Sequence, residues 1–186
     1  PEPVQLKCDN GAKGSYDLIT IHDNRNVMIQ GIAFNGSISR VEVIVGGLEI
    51  GSGSNVAISM SSFTDCESEA GGALRTSTSS VTLSGVTFTS NKASNPPAMS
   101  NNGGGAIFVT GGTLQVSNVE FRKNTAASGG GAIKVVRGTI FADKGSHFAG
   151  NKANGGCGGD IHAITTSTIT LSGGVVLQGG KAQEGG

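Results

Sequence analysis

The 186-residue sequence has no Trp, one Tyr and seven Phe, and only 14% of its residues are charged. Thirteen basic residues balance thirteen acidic ones. A nucleic-acid surface needs a basic footprint, so nucleic acid is excluded as a partner. No apolar run reaches the ~18 residues that a membrane-spanning helix requires. Cysteine is scarce too: Cys8, Cys66 and Cys157 are three in number, which leaves at least one thiol unpaired.

Glycine is what the chain has in excess, with 32 residues where ordinary usage is roughly 7%. These glycines show no three-residue period, which excludes collagen. Each Gly inside a helix costs about 1 kcal/mol relative to Ala, so a helical protein is disfavoured. With 36% apolar residues and little charge, the chain is also unlike a disordered one. Its apolar residues are mostly Val, Ile, Leu and Phe in short alternating runs, the pattern of β-strands.

The runs repeat. A unit reads apolar, any residue, apolar, a short gap, Phe, a turn, then Gly-Gly. Val27-Ile29-Phe34, Val56-Ile58-Phe63, Val81-Leu83-Phe88 and Leu114-Val116-Phe121 fit it. Ile140-Ala142-Phe148 and Ile169-Leu171-Leu177 follow with one extra residue. The middle anchors, from Ile29 to Leu171, are spaced by 29, 25, 33, 26 and 29 residues. One unit cannot bury its own apolar side chains, whereas stacked units bury them in a column. The expected fold is therefore all-β, a right-handed parallel β-helix of about six coils of 25–33 residues. The irregular spacing fits, because turns can lengthen outward while inward anchors stay aligned. Residues 1–17 lack the pattern and are expected to form an irregular first coil or cap, with the β-helix over 18–186. The chain stops at Gly185-Gly186, within a repeat. An open solenoid end exposes unpaired strand edges, so further coils or a partner are expected there.

In a stacked coil, equivalent positions form columns. Phe34, Phe63, Phe88, Phe121, Phe148 and Leu177 make a core stack. Asn91, Asn124 and Asn151 make a structural ladder of side-chain amides, interrupted by Cys66 on one side and Gly180 on the other. Arg75, Phe108, Lys134 and His162 alternate with inward residues and form an outward stripe, a candidate contact surface beside the plainer reading of a solvated face. Lys92, Lys152 and Lys181 line a turn column with Glu67 and Thr125, a weakly basic edge that could meet anionic glycans, beside the plainer reading of a soluble corner that discourages edge pairing.

Chemistry is sparse. Parallel β-helices can host polysaccharide lyases and hydrolases, which need clustered carboxylates or a calcium site plus a base. Asp65, Glu67 and Glu69 are the only tight acidic group and the only metal candidates. Gly155-Gly156-Cys157-Gly158-Gly159-Asp160 matches the start of a calcium-binding nonapeptide but lacks tandem copies, so it reads as a tight corner. His22, His147 and His162 occupy unrelated repeat positions. No catalytic residue and no cofactor are assigned. Cys66 and Cys157 fall three coils apart, too far for a disulfide, while Cys8 could reach Cys66 if the N-terminal stretch folds beside the second coil. Asn35-Gly36-Ser37 is a glycosylation sequon, relevant in a secreted eukaryotic protein.

Gly-Gly-Ala-Ile/Leu followed by Phe-x-x-Asn recurs at 71–74 with 88–91, 104–107 with 121–124, and 130–133 with 148–151. This pair resembles the repeats of the polymorphic membrane proteins of chlamydiae, which are also seen in surface proteins of microbial eukaryotes. The resemblance covers roughly residues 60–186. It implies a surface-exposed, non-enzymatic β-helix that acts in adhesion. Phe63-Thr64-Asp65-Cys66 and Leu177-Gln178-Gly179-Gly180 depart from the second motif.

These features lead us to expect a non-catalytic extracellular segment of a larger cell-surface protein, structural and adhesive, that meets a protein or glycan surface. A subunit of an extracellular filament or flagellar hair, self-associating end to end, is one alternative. A polysaccharide lyase or hydrolase of the pectate-lyase-like class is the other.

Overall fold

A computed structural model describes residues 4–7, 14–21, 24–36, 43–94 and 102–184. The described residues form a β-solenoid in which every strand pairing is parallel and no helix occurs. Successive coils lay equivalent strands side by side in three sheets. One is the Phe sheet, seven strands including Ile32–Asn35, Ser62–Thr64, Thr87–Thr89, Glu120–Arg122, His147–Ala149 and Val176–Gln178. A second is the corner sheet, five two-residue strands from Glu67–Ser68 to Lys181–Ala182. The third bends into two limbs, because Leu74–Ser84 and Ile107–Ser117 run through both. Left-handed residues at the bend, Thr78 (φ 48°) and Gly111 (φ 76°), redirect these long strands. The expected stack of about six coils is close to the strand counts of the sheets.

The first limb turns Leu48, Leu74, Ile107 and Ile133 inward, and the second turns Val56, Val81, Leu114 and Ile140 inward, all of them buried. The Phe column closes the core. Phe34, Phe63, Phe88, Phe121 and Phe148 are each 0% exposed. Neighbouring rings stack with centroids 4.3–5.0 Å apart and planes within 11°. That offset-stacked distance follows from the coil spacing, ~4.8 Å between hydrogen-bonded strands. Thr76 Oγ1 is buried without a hydrogen-bond partner among the described residues.

Within the expected first coil or cap, Val4–Lys7 pairs with Ile32–Asn35 and Gly14–Ile21 pairs with Val43–Ile50 in parallel register. Parallel pairing uses backbone groups, so a coil without the Phe motif still joins the stack. Leu177 pairs with Phe148 as expected but is 46% exposed, since no described coil lies over it.

Candidate functional site

The two sequence motifs meet at one corner of the solenoid. In Phe-x-x-Asn and its variants, the residue at the third position is left-handed in the five coils from Phe63 to Leu177: Asp65, Ser90 and Lys123 at φ 53–55°, then Gly150 and Gly179. This turn swings the following side chain inward. Asn91, Asn124 and Asn151 are each 0% exposed.

Their amides form a fully paired ladder. Asn91 Nδ2 donates to Asn124 Oδ1 at 3.0 Å, and Asn124 Nδ2 donates to Asn151 Oδ1 at 2.9 Å. Each Nδ2 also donates to a carbonyl of the preceding coil: Asn91 to Phe63, Asn124 to Phe88 and Asn151 to Phe121, at 3.0–3.1 Å. Each Oδ1 also accepts from a backbone N–H, those of Cys66, Asn91 and Asn124, at 3.0 Å, which is a second bond for Asn124 and Asn151. Asn124 and Asn151 thus use two donor and two acceptor sites each, and Asn91 two donor sites and one acceptor site, as buried polar groups require.

Gly-Gly-Ala packs against this corner. Gly104 is left-handed at φ 70°, and a Cβ on Gly105 would fall 2.5 Å from the Thr125 backbone nitrogen. The first glycine therefore supplies a conformation and the second supplies room. The third position stacks Ala73, Ala106 and Ala132, all buried, and the fourth copy places Asp160 there.

Asp160 is the residue whose role the sequence pattern concealed. It is 8% exposed, and its Oδ1 accepts from Asn151 Nδ2 at 2.8 Å. The ladder position of the next coil is Gly180, where an added Cβ would fall 2.8 Å from Asp160 Cγ. The carboxylate thus occupies the space of the missing asparagine. Burial raises the Asp160 pKa, opposed by the Asn151 hydrogen bond and by nearby His147. At the other end of the ladder Cys66 is a free thiol, 0% exposed, whose pKa burial pushes up to about 12.

The outward stripe is in the expected register: Arg75 pairs with Phe108, Phe108 with Lys134, and Lys134 with His162. It is not an exposed stripe. Arg75 is exposed, but Phe108 is 5% and Lys134 1% exposed, and His162 is half-buried. Chain crossing from the corner sheet back to the first limb covers it. A Cβ on Gly71 would meet the Phe108 nitrogen at 2.7 Å, and one on Gly103 would meet Lys134 Cδ at 2.8 Å. Phe108 packs there with Ala70, Val136 and Ile164. Lys134 Nζ donates to the Asn102 carbonyl at 3.1 Å, and burial lowers its pKa. Burial, then Lys134, lowers that of His162, whose Nδ1 is buried without a hydrogen-bond partner among the described residues.

Asp65, Glu67 and Glu69 do not form a metal site. Asp65 and Glu69 are exposed, and Glu67 instead accepts from Lys92 Nζ at 2.7 Å. No group of three or more His, Cys, Asp or Glu that could hold a metal occurs among the described residues. In the nonapeptide-like segment the Asp160 carboxylate points at the ladder. The corner column of Lys92, Thr125, Lys152 and Lys181 is in register as expected. Arg122 and Glu120 form a second exposed ion pair at 2.8 Å, which lowers the Glu120 pKa. Cys157 is a free, exposed thiol, and Asn35 is partly buried. Cys8, His22 and Ser37 lie outside the described residues.

The family model of the Chlamydia polymorphic membrane protein repeat matches residues 85–110 and 118–135. These segments hold Phe88 with Asn91, Gly104-Gly105-Ala106, Phe121 with Asn124, and Gly130-Gly131-Ala132. The chain carries repeats of this type, and they are the residues that build the corner. No curated protein and no solved structure gives a significant match.

Proposed function

We propose that this chain is a non-catalytic β-solenoid segment of a larger cell-surface protein, extracellular, structural and adhesive. The match to the Chlamydia polymorphic membrane protein repeat carries this reading. The supporting geometry is that each matched motif residue is used in stacking one coil on the next. Phe88 and Phe121 stack, Asn91 and Asn124 hydrogen-bond along the rod, and the Gly-Gly pairs admit the neighbouring backbone. A repeat built this way makes a rod whose outer surface is free to vary.

Beads coated with the 186-residue chain are expected to adhere to cells more than beads coated with the heat-denatured chain. Equal adherence of the two would remove the adhesive reading. Pectin and alginate are expected to survive incubation with the chain in the presence of calcium, and turnover of either would establish an enzyme instead.

A further inference from the structure

We propose that the outward face of the second limb is a docking surface for an uncharged polysaccharide. This rests on the adhesive reading above and names its face and ligand class.

The strands of this limb turn alternate residues to solvent, and the parallel register stacks them in columns. One column is Asn26, Asn55, Ser80, Thr113, Thr139 and Thr168. The next is Met28, Ala57, Thr82, Gln115, Phe141 and Thr170. The third begins at Gln30 and runs through serines to Asp143. Asp143 is the one charged residue that these columns contain. Arg25, Arg137 and Lys144 stand at the corners that flank the strands. The other outward surfaces differ: Arg75 lies on the first limb, Glu120 and Arg122 on the Phe sheet, and Glu67, Lys92 and Lys152 on the corner sheet. Charge is thus distributed over the solenoid but nearly absent from this face.

That absence selects the ligand. A charge pressed against a neutral partner loses hydration without compensation, so a charge-free face suits a neutral partner. An acidic polysaccharide would need basic residues, and the columns have none. Hydroxyl and amide side chains both donate and accept, as sugar hydroxyls do. Rows recur every ~4.8 Å along the rod, close to the length of one sugar ring in a polysaccharide chain. The amides are held in place, since Asn55 Nδ2 donates to Asn26 Oδ1 at 3.1 Å. A groove of about 470 Å³ lies here, lined by Asn26, Met28, Asn55, Ala57, Ser80 and Thr82. Met28, 76% exposed, and Phe141, 44% exposed, offer apolar plates for the faces of sugar rings.

Affinity electrophoresis of the 186-residue chain through gels containing β-glucan, mannan, xylan or amylose tests the proposal. Retardation by at least one of them is expected, at both low and high salt. Two single variants of opposite sign, Thr82→Glu and Gln115→Lys, are each expected to lose it, and Phe141→Ala to weaken it. Lys152→Glu, on the corner sheet, is expected to be retarded as much as the parent chain, each measured against its own mobility in a gel without polysaccharide. Thermal melting of each variant establishes that it is folded. No retardation by any neutral polysaccharide would overturn the proposal, as would retardation unchanged in both charged variants. So would binding confined to acidic polysaccharides and abolished by salt, or strengthened in Gln115→Lys. The bead assay separates the two readings. Adherence retained in Thr82→Glu and Gln115→Lys would sink this face alone, whereas gel retardation without bead adherence would sink the adhesive reading and leave the face.

Discussion

Asn151 Nδ2 lies 2.8 Å from Asp160 Oδ1, and the Asp160 carboxylate fills the space into which a side chain at position 180 would grow. Two departures from the repeat therefore compensate each other. Gly-Gly-Ala becomes Gly-Gly-Asp at 158–160, and the Asn of Phe-x-x-Asn becomes Gly180. The ladder keeps its acceptor although the chain position that supplies it has changed.

Removing a middle rung should be costly. Asn124→Ala deprives Asn91 of an acceptor for both its Nδ2 and its backbone N–H, and deprives the Phe88 carbonyl of a donor. Each buried group left unpaired costs about 1–3 kcal/mol, so a loss of at least ~3 kcal/mol is expected. Chemical denaturation of the variant measures it, and a loss under about 1 kcal/mol would show that the ladder is not stabilising.

The left-handed turn before the ladder offers a stabilising change. Lys123 sits at φ 53°, where coils further along place Gly150 and Gly179. A side chain in that region costs about 1–2 kcal/mol, partly offset by the added freedom of glycine in the unfolded chain. Lys123→Gly is expected to raise stability by about 1 kcal/mol. The same change at Thr125, a strand residue, is expected to lower it.

The two described thiols should differ in reactivity. Only the thiolate reacts readily, and Cys66 is buried with a pKa of about 12, whereas Cys157 is exposed. Residue-resolved mass spectrometry after alkylation at mildly alkaline pH is expected to find Cys157 modified and Cys66 untouched. Labelling of Cys66 should appear only when the chain is unfolded.

Asp160 should make stability fall as pH rises through the acidic range. Its carboxyl is held above the ordinary aspartate value of 3.8, so within that window the folded chain binds a proton that the unfolded chain has released. The stability it contributes is complete below 3.8 and is lost as pH climbs through the raised value. Asp160→Asn keeps an acceptor for Asn151 and removes the titration. Melting temperatures across the acidic range should slope less in this variant than in the parent chain, and identical slopes would contradict the assignment.

The fold was legible because its signals recur: anchors such as Ile58 and Leu83, the Phe column and the Asn ladder each repeat at matching positions. What single strands do not reveal is what crosses over them. Alternation places Phe108 and Lys134 outward, but the glycine-rich segments that cover them belong to neighbouring coils. Strands at Val4–Lys7 and Gly14–Ile21 were obscured because they precede the first Phe. Gly180 reads as a break in the ladder until the stack brings Asp160 beside it. The neutral face was also hidden, since its columns exist only once the register is known.

The most direct measurement of whether the motifs act together through coil stacking is a double-mutant cycle on Asp160 and Gly180. Asp160→Ala removes the acceptor that Asn151 uses, and Gly180→Asn alone drives a side chain into the carboxylate. Each single variant is expected to melt below the parent chain. The double variant, which recreates Gly-Gly-Ala and Phe-x-x-Asn chemistry at this corner, is expected to recover, with a coupling of about 1–3 kcal/mol. Additive losses, leaving the double variant less stable than either single one, would contradict the account.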